Sequence, residues 1–478
     1  MNPAVLFCAA GKQHKRIRMG KKSYTQAPVS KGADIEMEIK DLAYGGDSVG
    51  DFRGMTVFMP YGVPGQRVKA RIVEVKRNFA SARLLKVLRE SAIYKKPECP
   101  YFGVCGGCDW MNIKQDKHGE FKQKFIKRML EKISGLDNVA VNPVLEYEDP
   151  FHYRNRAQYK VAREGARIIT GFYKARSHDV AQVDKCLIVA PVINEAAAAI
   201  HEALNERQKE VEVYSEIRRR GYLRHIAIRA NRQGQYLVTF VVSDREIKPF
   251  VREIAEMLKE KVPGLAGAVI NINRDEGNAV FGESERVVWG SAHITENAGG
   301  IGFKLDSSAF FQVNASMLEK MADFVCRNIP ENSVVLDLYG GVGALTLPYH
   351  AKYARIYSVE SDKKAVERLK ETARLNDIGN VEAINEPAES AGPLLMREKR
   401  IDAVVVDPPR KGLHPGLLPA LKKSGIKRII YISCNPSTFA RDIKELKEDY
   451  FLREVTPLDQ FSQTYHVEVM SLLELKKS

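Results

Sequence analysis

Residues 34–88 alternate apolar and polar positions in four short runs: "IEMEIKDL", "MTVFMPY", "QRVKARIVEVK" and "FASARLLKVL". Turn-rich stretches, "YGGDSVGDFRG" and "YGVPGQ", separate them. A period of two puts successive side chains on opposite faces, and short strands at regular spacing predict a small β-barrel. With its basic positions, an OB-like barrel that binds nucleic acid is expected; the plainer alternative is a barrel with no ligand. From about 95 to 300 the pattern is mixed. "DKHGEFKQKFIKRMLEKI" reads as a basic helix, and "RIITGFYK", "HIAIRA", "QYLVTFVVS" and "GAVININ" read as strands. Beyond about 303, strands "VVLDLY", "RIYSVE", "IDAVVVDPP", "RIIYIS" and "HVEVMSLLEL" alternate with helical stretches such as "DKKAVERLKETARLN". That alternation predicts a doubly wound, Rossmann-like α/β domain whose ligands bind beyond the carboxyl ends of the strands. The expected organisation is a basic tail over 1–30, a barrel over 31–90, a mixed α+β central domain over 91–300 and the α/β domain over 301–478.

Composition narrows the function classes. A chain of 478 residues exceeds one ordinary core, and 44% hydrophobic with 28% charged residues excludes a disordered chain. No apolar run approaches the roughly 18 residues of a membrane span. The N-terminal apolar patch precedes its basic residues, the reverse of a secretory signal, so a cytoplasmic protein is expected. The net charge of +14 favours a polyanionic partner, nucleic acid first. Lys12, Lys15, Arg16, Arg18, Lys21 and Lys22 gather in the tail, and Arg218, Arg219, Arg220 and Arg224 mid-chain.

Three constellations carry chemistry. In "VLDLYGGVGALTLP" a strand runs into Gly341-x-Gly343, but Thr346 occupies the third small position of a dinucleotide fingerprint, which therefore fails. Glu360 ends the next strand, where an acid grips a ribose diol. No phosphate-binding lysine loop accompanies them, so S-adenosylmethionine, an adenosine with a sulfonium in place of phosphates, fits better than a nucleotide. In "DAVVVDPPRKG" two prolines stop an apolar strand and hold Asp407 at the same rim. In "YISCNPST" Cys434 follows a strand and precedes helix-capping residues, where a helix N-terminus is expected to lower a thiol's pKa. The alternative for Cys434 is a small buried residue closing the strand. Finally, Cys99, Cys105 and Cys108 are bunched and Cys186 follows far downstream. An odd total of seven cysteines without a secretory signal argues against disulfides and for a thiolate metal site, zinc or iron–sulfur.

Together "SSAFFQVN", "DLYGGVGALTLP", "DPPRKG", "SCNPST" and "HVEVMSLLEL" resemble the RNA 5-methyluridine methyltransferase family of class I S-adenosylmethionine enzymes, and residues 34–88 are similar to its TRAM domain. The resemblance implies methyl transfer to carbon 5 of a uridine in RNA. Cys434 is then the nucleophile that adds at carbon 6, and Glu468 the base that removes the carbon-5 proton. His466, expected on the same strand face, is the rival base. Gln312, Tyr339, Glu360 and Asp407 are implied cofactor contacts, beside the Gly341 turn. Cys99, Cys105, Cys108 and Cys186 are implied ligands of a [4Fe–4S] cluster. The barrel and the cysteine set point, by resemblance, to 23S rRNA, with tRNA the alternative. Two departures stand out: Gly340 where many members carry cysteine, which removes a side chain, and Pro387 at the adenine side, which has no N–H to donate. A non-catalytic RNA-binding assembly factor would need neither Cys434 nor Glu468. An amino-group methyltransferase would carry an aromatic residue where Arg410 follows the prolines. An iron–sulfur redox enzyme would need a flavin or nicotinamide fingerprint.

Overall fold

The computed structural model describes residues 28–244 and 247–476. The lysines and arginines at 12–22 lie outside them. β1 (Asp34–Leu42), β2 (Ser48–Phe52), β3 (Met55–Met59), β4 (Arg67–Val75) and β5 (Phe79–Arg89) close a barrel in the order β1-β2-β3-β5-β4. The alternate residues Ile35, Met37 and Ile39 of β1 point inward to meet Met55, Val57 and Val68. β2 lies in "YGGDSVGDFRG", which reads as a turn in sequence. Its inward positions are Ser48 and Gly50, too small and polar to register as a strand pattern.

The central domain is a seven-stranded sheet of β6 (Arg156–Glu164), β7 (Arg167–Tyr173), β8 (Val180–Gln182), β9 (Leu223–Ala230), β10 (Tyr236–Val242), β11 (Leu265–Ile272) and β12 (Ser284–Gly290). β10 and β11 are parallel across a helical crossover, and the other pairs are antiparallel. α2 (Pro191–Glu206) and α3 (Lys248–Lys261) cover one face, seating Ile193, Ile200, Val251 and Leu258 on Ile226 and Phe240. The opposite face meets the hairpin β13 (His293–Ala298) and β14 (Ile301–Asp306), where Ile294 packs on Leu237 and Val269. This hairpin straddles position 300, and Ala298, Ile301, Phe303 and Leu305 join the core of the C-terminal domain.

That domain orders its strands β17-β16-β15-β18-β19-β21-β20. They are β15 (Val334–Leu338), β16 (Arg355–Glu360), β17 (Val381–Asn385), β18 (Ala403–Val406), β19 (Arg428–Ser433), β20 (Tyr450–Leu458) and β21 (Glu468–Leu475). The first five run parallel, and β21 inserts antiparallel between β19 and β20. α4 (Ala315–Asn328), α5 (Lys363–Leu375), α6 (Ala388–Glu398), α7 (Leu417–Lys423) and α8 (Pro436–Leu446) flank the sheet. α1 (His118–Met129), the basic helix read in the sequence, is recruited here: Ile126 and Met129 share a core with Phe439, Ile443 and Leu446. The buried pair Lys122–Asp459, 2.5 Å apart with both side chains fully enclosed, ties α1 to the loop that precedes β21. Among the described residues no helix is long and apolar enough to cross a membrane.

Candidate functional site

The strand order reverses between β15 and β18, and the crevice beyond the carboxyl ends at such a switch point is where doubly wound sheets bind their ligands. The chain leaving β15 turns through Tyr339, Gly341 and Gly343, with φ of +64°, +56° and +81°. Tyr339 is held in this left-handed conformation, uncommon for an aromatic residue, while its hydroxyl accepts from the backbone N–H of His414 at 3.3 Å. Gly341 faces open space and donates its N–H to Glu360 Oε2 at 3.1 Å. The other Glu360 oxygen accepts from the Asp362 N–H at 2.8 Å and the Ser361 hydroxyl at 3.2 Å, so three donors orient this carboxylate. The segment after Gly343 is a 3-10 turn, Leu347–Lys352, carrying Pro348, in place of an α-helix. The helix N-terminus that anchors a pyrophosphate is therefore missing at this loop.

Gly340 does more than omit a side chain. A Cβ there would fall 2.1 Å from Ser358 Oγ, so the residue must be glycine while Ser358 occupies that space. Pro387 is also more restrictive than the sequence implied. Besides lacking an N–H, its carbonyl accepts from Ser390 and Ala391, so neither backbone group is free for an adenine.

Acids line the crevice. Asp337, inside the apolar β15, is buried and accepts from the Thr346 hydroxyl at 2.8 Å; burial pushes its carboxyl up to about 7. Thr346, the residue that breaks the dinucleotide fingerprint, thus braces an acid. Asp407 follows β18 and is also raised to about 7, by burial and then by Asp337. Carboxylates raised by burial and by neighbouring acids, Glu360 beside Asp337 and Asp337 beside Asp407, favour a cationic ligand, which offsets both effects. The sequence reading missed Asp337, although an aspartate within "VVLDLY" is itself the signal, since a buried acid in an apolar strand needs a partner.

Cys434 and Glu468 enter the same region from neighbouring strands. Cys434 follows β19, and Glu468 opens β21, which pairs antiparallel with β19. Glu468 is buried, and its carboxyl is pushed up to about 8 by burial and by Asp407, with Arg410 pulling it down. Burial, Glu468 and Asp407 push the Cys434 thiol up, against Arg410. The expected lowering by the helix N-terminus is overturned. Asn435 takes the capping position of α8, accepting from the Ser437 N–H at 3.1 Å, and Pro436 has no N–H, so burial outweighs the helix. Arg410 is the cation the site does contain. Its carbonyl accepts from Asn435 Nδ2 at 3.0 Å and the Thr438 hydroxyl at 3.2 Å, which locks the "DPPR" and "CNPST" segments together.

His466 precedes β21 and does not share a strand face with Glu468. Its Nδ1 lies 3.4 Å from Arg410 Nη2 and its ring packs on Tyr465 at 4.1 Å. Burial and Arg410 hold its pKa well down, and its lone pair faces a guanidinium. Gln312 is buried in the loop between β14 and α4. Its side-chain oxygen accepts from Gln460 Nε2 at 3.0 Å and its carbonyl from Asn155 Nδ2 at 3.1 Å, so it is pinned where the central domain meets the β20–β21 loop.

The four remaining predicted residues form a separate group. Cys99, Cys105 and Cys108 lie on one loop, and the Gly106 N–H donates to the Tyr173 carbonyl at the end of β7 at 3.0 Å. Cys186 is held by a reciprocal pair of hydrogen bonds with Asn194, of 2.8 and 2.9 Å. Burial pushes all four thiols up, Cys105 to about 12, and Cys105 and Cys108 are raised further by Cys186 and Cys99. Their neutral forms are thereby favoured, and ionising them together would take a cationic partner. Among the described residues, no three His, Cys, Asp or Glu side chains are close enough to share a single ion. Of the mid-chain arginines, Arg218, Arg219 and Arg220 sit on an exposed turn with Ile217. Arg224 is instead buried over Tyr214 and bonded to the Asn273 and Asp275 carbonyls.

A reversed-order α/β sheet with an acidic, adenosine-type crevice and no helix-borne phosphate site defines a class I S-adenosylmethionine-dependent methyltransferase. Residues 114–476 match the family described as tRNA (Uracil-5-)-methyltransferase, and residues 28–85 match the TRAM domain. The chain belongs to that family of RNA methyltransferases. It is 33% identical over 459 residues to an uncharacterised RNA methyltransferase of Halalkalibacterium halodurans, covering 95% of this chain and 100% of that protein. It is 34% identical over 455 residues to another from Clostridium acetobutylicum, covering 94% and 98%. Among solved structures it resembles the Pyrococcus abyssi tRNA (uracil-54, C5)-methyltransferase in complex with S-adenosyl-L-homocysteine. The TM-score is 0.73 at 26% identity, covering 91% of this chain and 99% of that one. A match over 91% of the chain extends well beyond residues 114–476. Most of the N-terminal region is therefore shared with a tRNA enzyme, and the barrel does not by itself separate rRNA from tRNA targets.

Proposed function

We propose that Cys434 and Glu468 carry out methyl transfer to carbon 5 of a uracil through a covalent adduct. The observation that carries this reading is the meeting of a thiol and a proton-accepting carboxylate, from different strands, beside the cofactor crevice. Cys434, as thiolate, forms a bond to carbon 6 and sends the ring's electron pair toward O4. Carbon 5 then takes the methyl group as the sulfonium's S–CH3 bond breaks and S-adenosylhomocysteine leaves, Glu468 removes the carbon-5 proton, and the Cys434–C6 bond breaks to restore the ring. Arg410 favours the ionised forms of both residues. Asp407, Glu360, Tyr339, Gly341 and Gln312 hold S-adenosylmethionine, with Glu360 on the ribose diol.

By resemblance Cys99, Cys105, Cys108 and Cys186 are the ligands of a [4Fe–4S] cluster, in which each iron would take one thiolate, and the mutual influence of these thiols supports their gathering in one place. When bound, the cluster supplies four cationic anchors for these thiolates. The Asp109 and Trp110 N–H groups, next along the chain, donate to the Gln463 carbonyl at 3.0 and 3.1 Å, so the cysteine loop also braces the segment leading to Glu468.

The target is a uracil flipped out of structured RNA. The cysteine set supports 23S rRNA, and the likeness to the Pyrococcus abyssi enzyme favours tRNA as the second reading. The test is incubation with S-adenosylmethionine and 5-fluorouracil-substituted 23S rRNA or tRNA transcripts, followed by a denaturing gel. Fluorine cannot leave as a proton does, so the adduct persists. A shifted band that disappears in Cys434→Ala supports the chemistry, and the transcript that gives it names the substrate. The absence of a band with either transcript rejects the covalent reading.

A further inference from the structure

The N-terminal barrel meets the cysteine loop and the segment ahead of Glu468 at the turn "AYGGD", between β1 and β2. The Ala43 N–H donates to the Asp47 carbonyl at 2.8 Å, and the Gly46 N–H to the Ala43 carbonyl at 3.2 Å, which fixes its shape. Gly45 and Gly46 have φ of +126° and +89°. A Cβ on Gly46 would come within 2.8 Å of Asp109 Oδ1 and 3.0 Å of Tyr465 Cδ1. The double glycine therefore lets the barrel press against both the cysteine loop and the segment ahead of Glu468.

That approach delivers Tyr44. Its ring meets Tyr465 edge-on at 5.4 Å and Phe125 of α1 at 6.0 Å, and it packs against the core containing Phe439, Val467 and Val469. Tyr465 in turn packs on His466, which faces Arg410. Burial keeps the Tyr44 hydroxyl protonated, so it is a neutral donor, and Arg410, Cys434 and Glu468 are among the charges that act on it.

We propose that the Tyr44 hydroxyl, supplied by the barrel, donates a hydrogen bond to O4 of the target uracil and stabilises the enolate formed when Cys434 adds at carbon 6. The inference rests on the covalent reading above. As the sulfur–carbon bond forms, the displaced electron pair settles on O4, and it returns to the ring when carbon 5 takes the methyl group. A preorganised donor aimed at such a charge in a water-poor pocket acts mainly on the rate. The barrel is then part of the catalytic pocket as well as a grip for RNA.

Tyr44→Phe in the full-length protein is the test, because it keeps the ring contacts with Tyr465 and Phe125 and removes one oxygen. Adduct formation with whichever 5-fluorouracil transcript the wild type accepts is followed in a single turnover at saturating RNA and S-adenosylmethionine. We expect it to slow by about 100-fold, with Kd for RNA within about twofold of wild type and an unchanged Tm. Methylation of unmodified RNA should lose kcat and keep KM. A wild-type adduct rate in Tyr44→Phe overturns the proposal, as does a rate loss matched by an equal loss of RNA affinity. A wild type that forms no adduct with any transcript instead brings down the covalent reading, and this proposal with it.

Discussion

Cys108 and Cys434 are both half-buried thiols raised by desolvation, yet their neighbours differ. The charges that act on Cys108 are mainly those of other thiols, Cys186 and Cys105, followed by Asp109 and Cys99, with no cation among them. Cys434 has two carboxylates and an arginine, at the junction of a strand and a helix. Burial alone makes a thiol inert; the surrounding charges decide what can ionise it. Cationic metal centres would do so for the first group. For Cys434, on the proposed mechanism, Arg410 and a sulfonium bound in the acidic crevice would do so, which would couple nucleophile activation to cofactor binding.

The largest contrast should come from the two thiols themselves. Cys434→Ala is expected to lower methyl transfer by about four orders of magnitude or more, in line with loss of a covalent nucleophile. Filter binding should show S-adenosylmethionine and RNA affinity largely kept. Cys105→Ser should do the opposite, weakening RNA binding while cofactor binding survives; RNA affinity equal to wild type would remove any ordering role for the cysteine loop. Glu468→Gln should trap the adduct on unmodified RNA, because the proton stays on carbon 5. Normal turnover in that variant would shift the base assignment to His466.

The link between the two regions is the next target. Lys122→Met leaves Asp459 buried without its partner, and breaking such a pair costs about 3–5 kcal/mol. Urea denaturation should report that loss, and a change below about 1 kcal/mol would mean that Asp459 finds another partner or takes up a proton. The smallest effect concerns pH. Native Asp337 and Asp407 keep protons to about pH 7 and Glu468 to about pH 8, whereas unfolded carboxyls release them near their ordinary values of 3.8 and 4.5. Through these three carboxyls the native state binds more protons over this window, so their contribution to stability falls as pH rises from about 4 to 8. Binding a cationic cofactor should release protons and tighten from pH 6 to pH 8, measurable by calorimetry in buffers of different ionisation heat. Binding independent of pH would show that these acids do not face the ligand.

Much of the architecture was legible because periodicity is local. β1, β3, β4 and β5 of the barrel and β15, β16, β18, β19 and β21 of the catalytic sheet all fall in the runs that alternation or apolar continuity marks. β2 escaped because its inward residues are serine and glycine, and β17 because its five residues are only half-buried or exposed. The Gly341 turn, Glu360 and Asp407 were legible for the same local reason: each sits at the end of a strand, where the chain must turn toward the crevice.

Sequence by itself therefore determined the order of elements, the α/β class and the residue types able to do the chemistry. What it could not determine is proximity between segments far apart in the chain. Only the tertiary structure decided that Asp337 adds to the negative charge around Asp407, that a Cβ on Gly340 would meet Ser358, and that α1 covers the catalytic sheet. It also decided that a barrel turn at Tyr44 packs on Tyr465, about 420 residues downstream and just ahead of Glu468. Burial and electrostatic interactions depend on distance in space, and a pKa or a steric demand for glycine exists only after distant segments have packed.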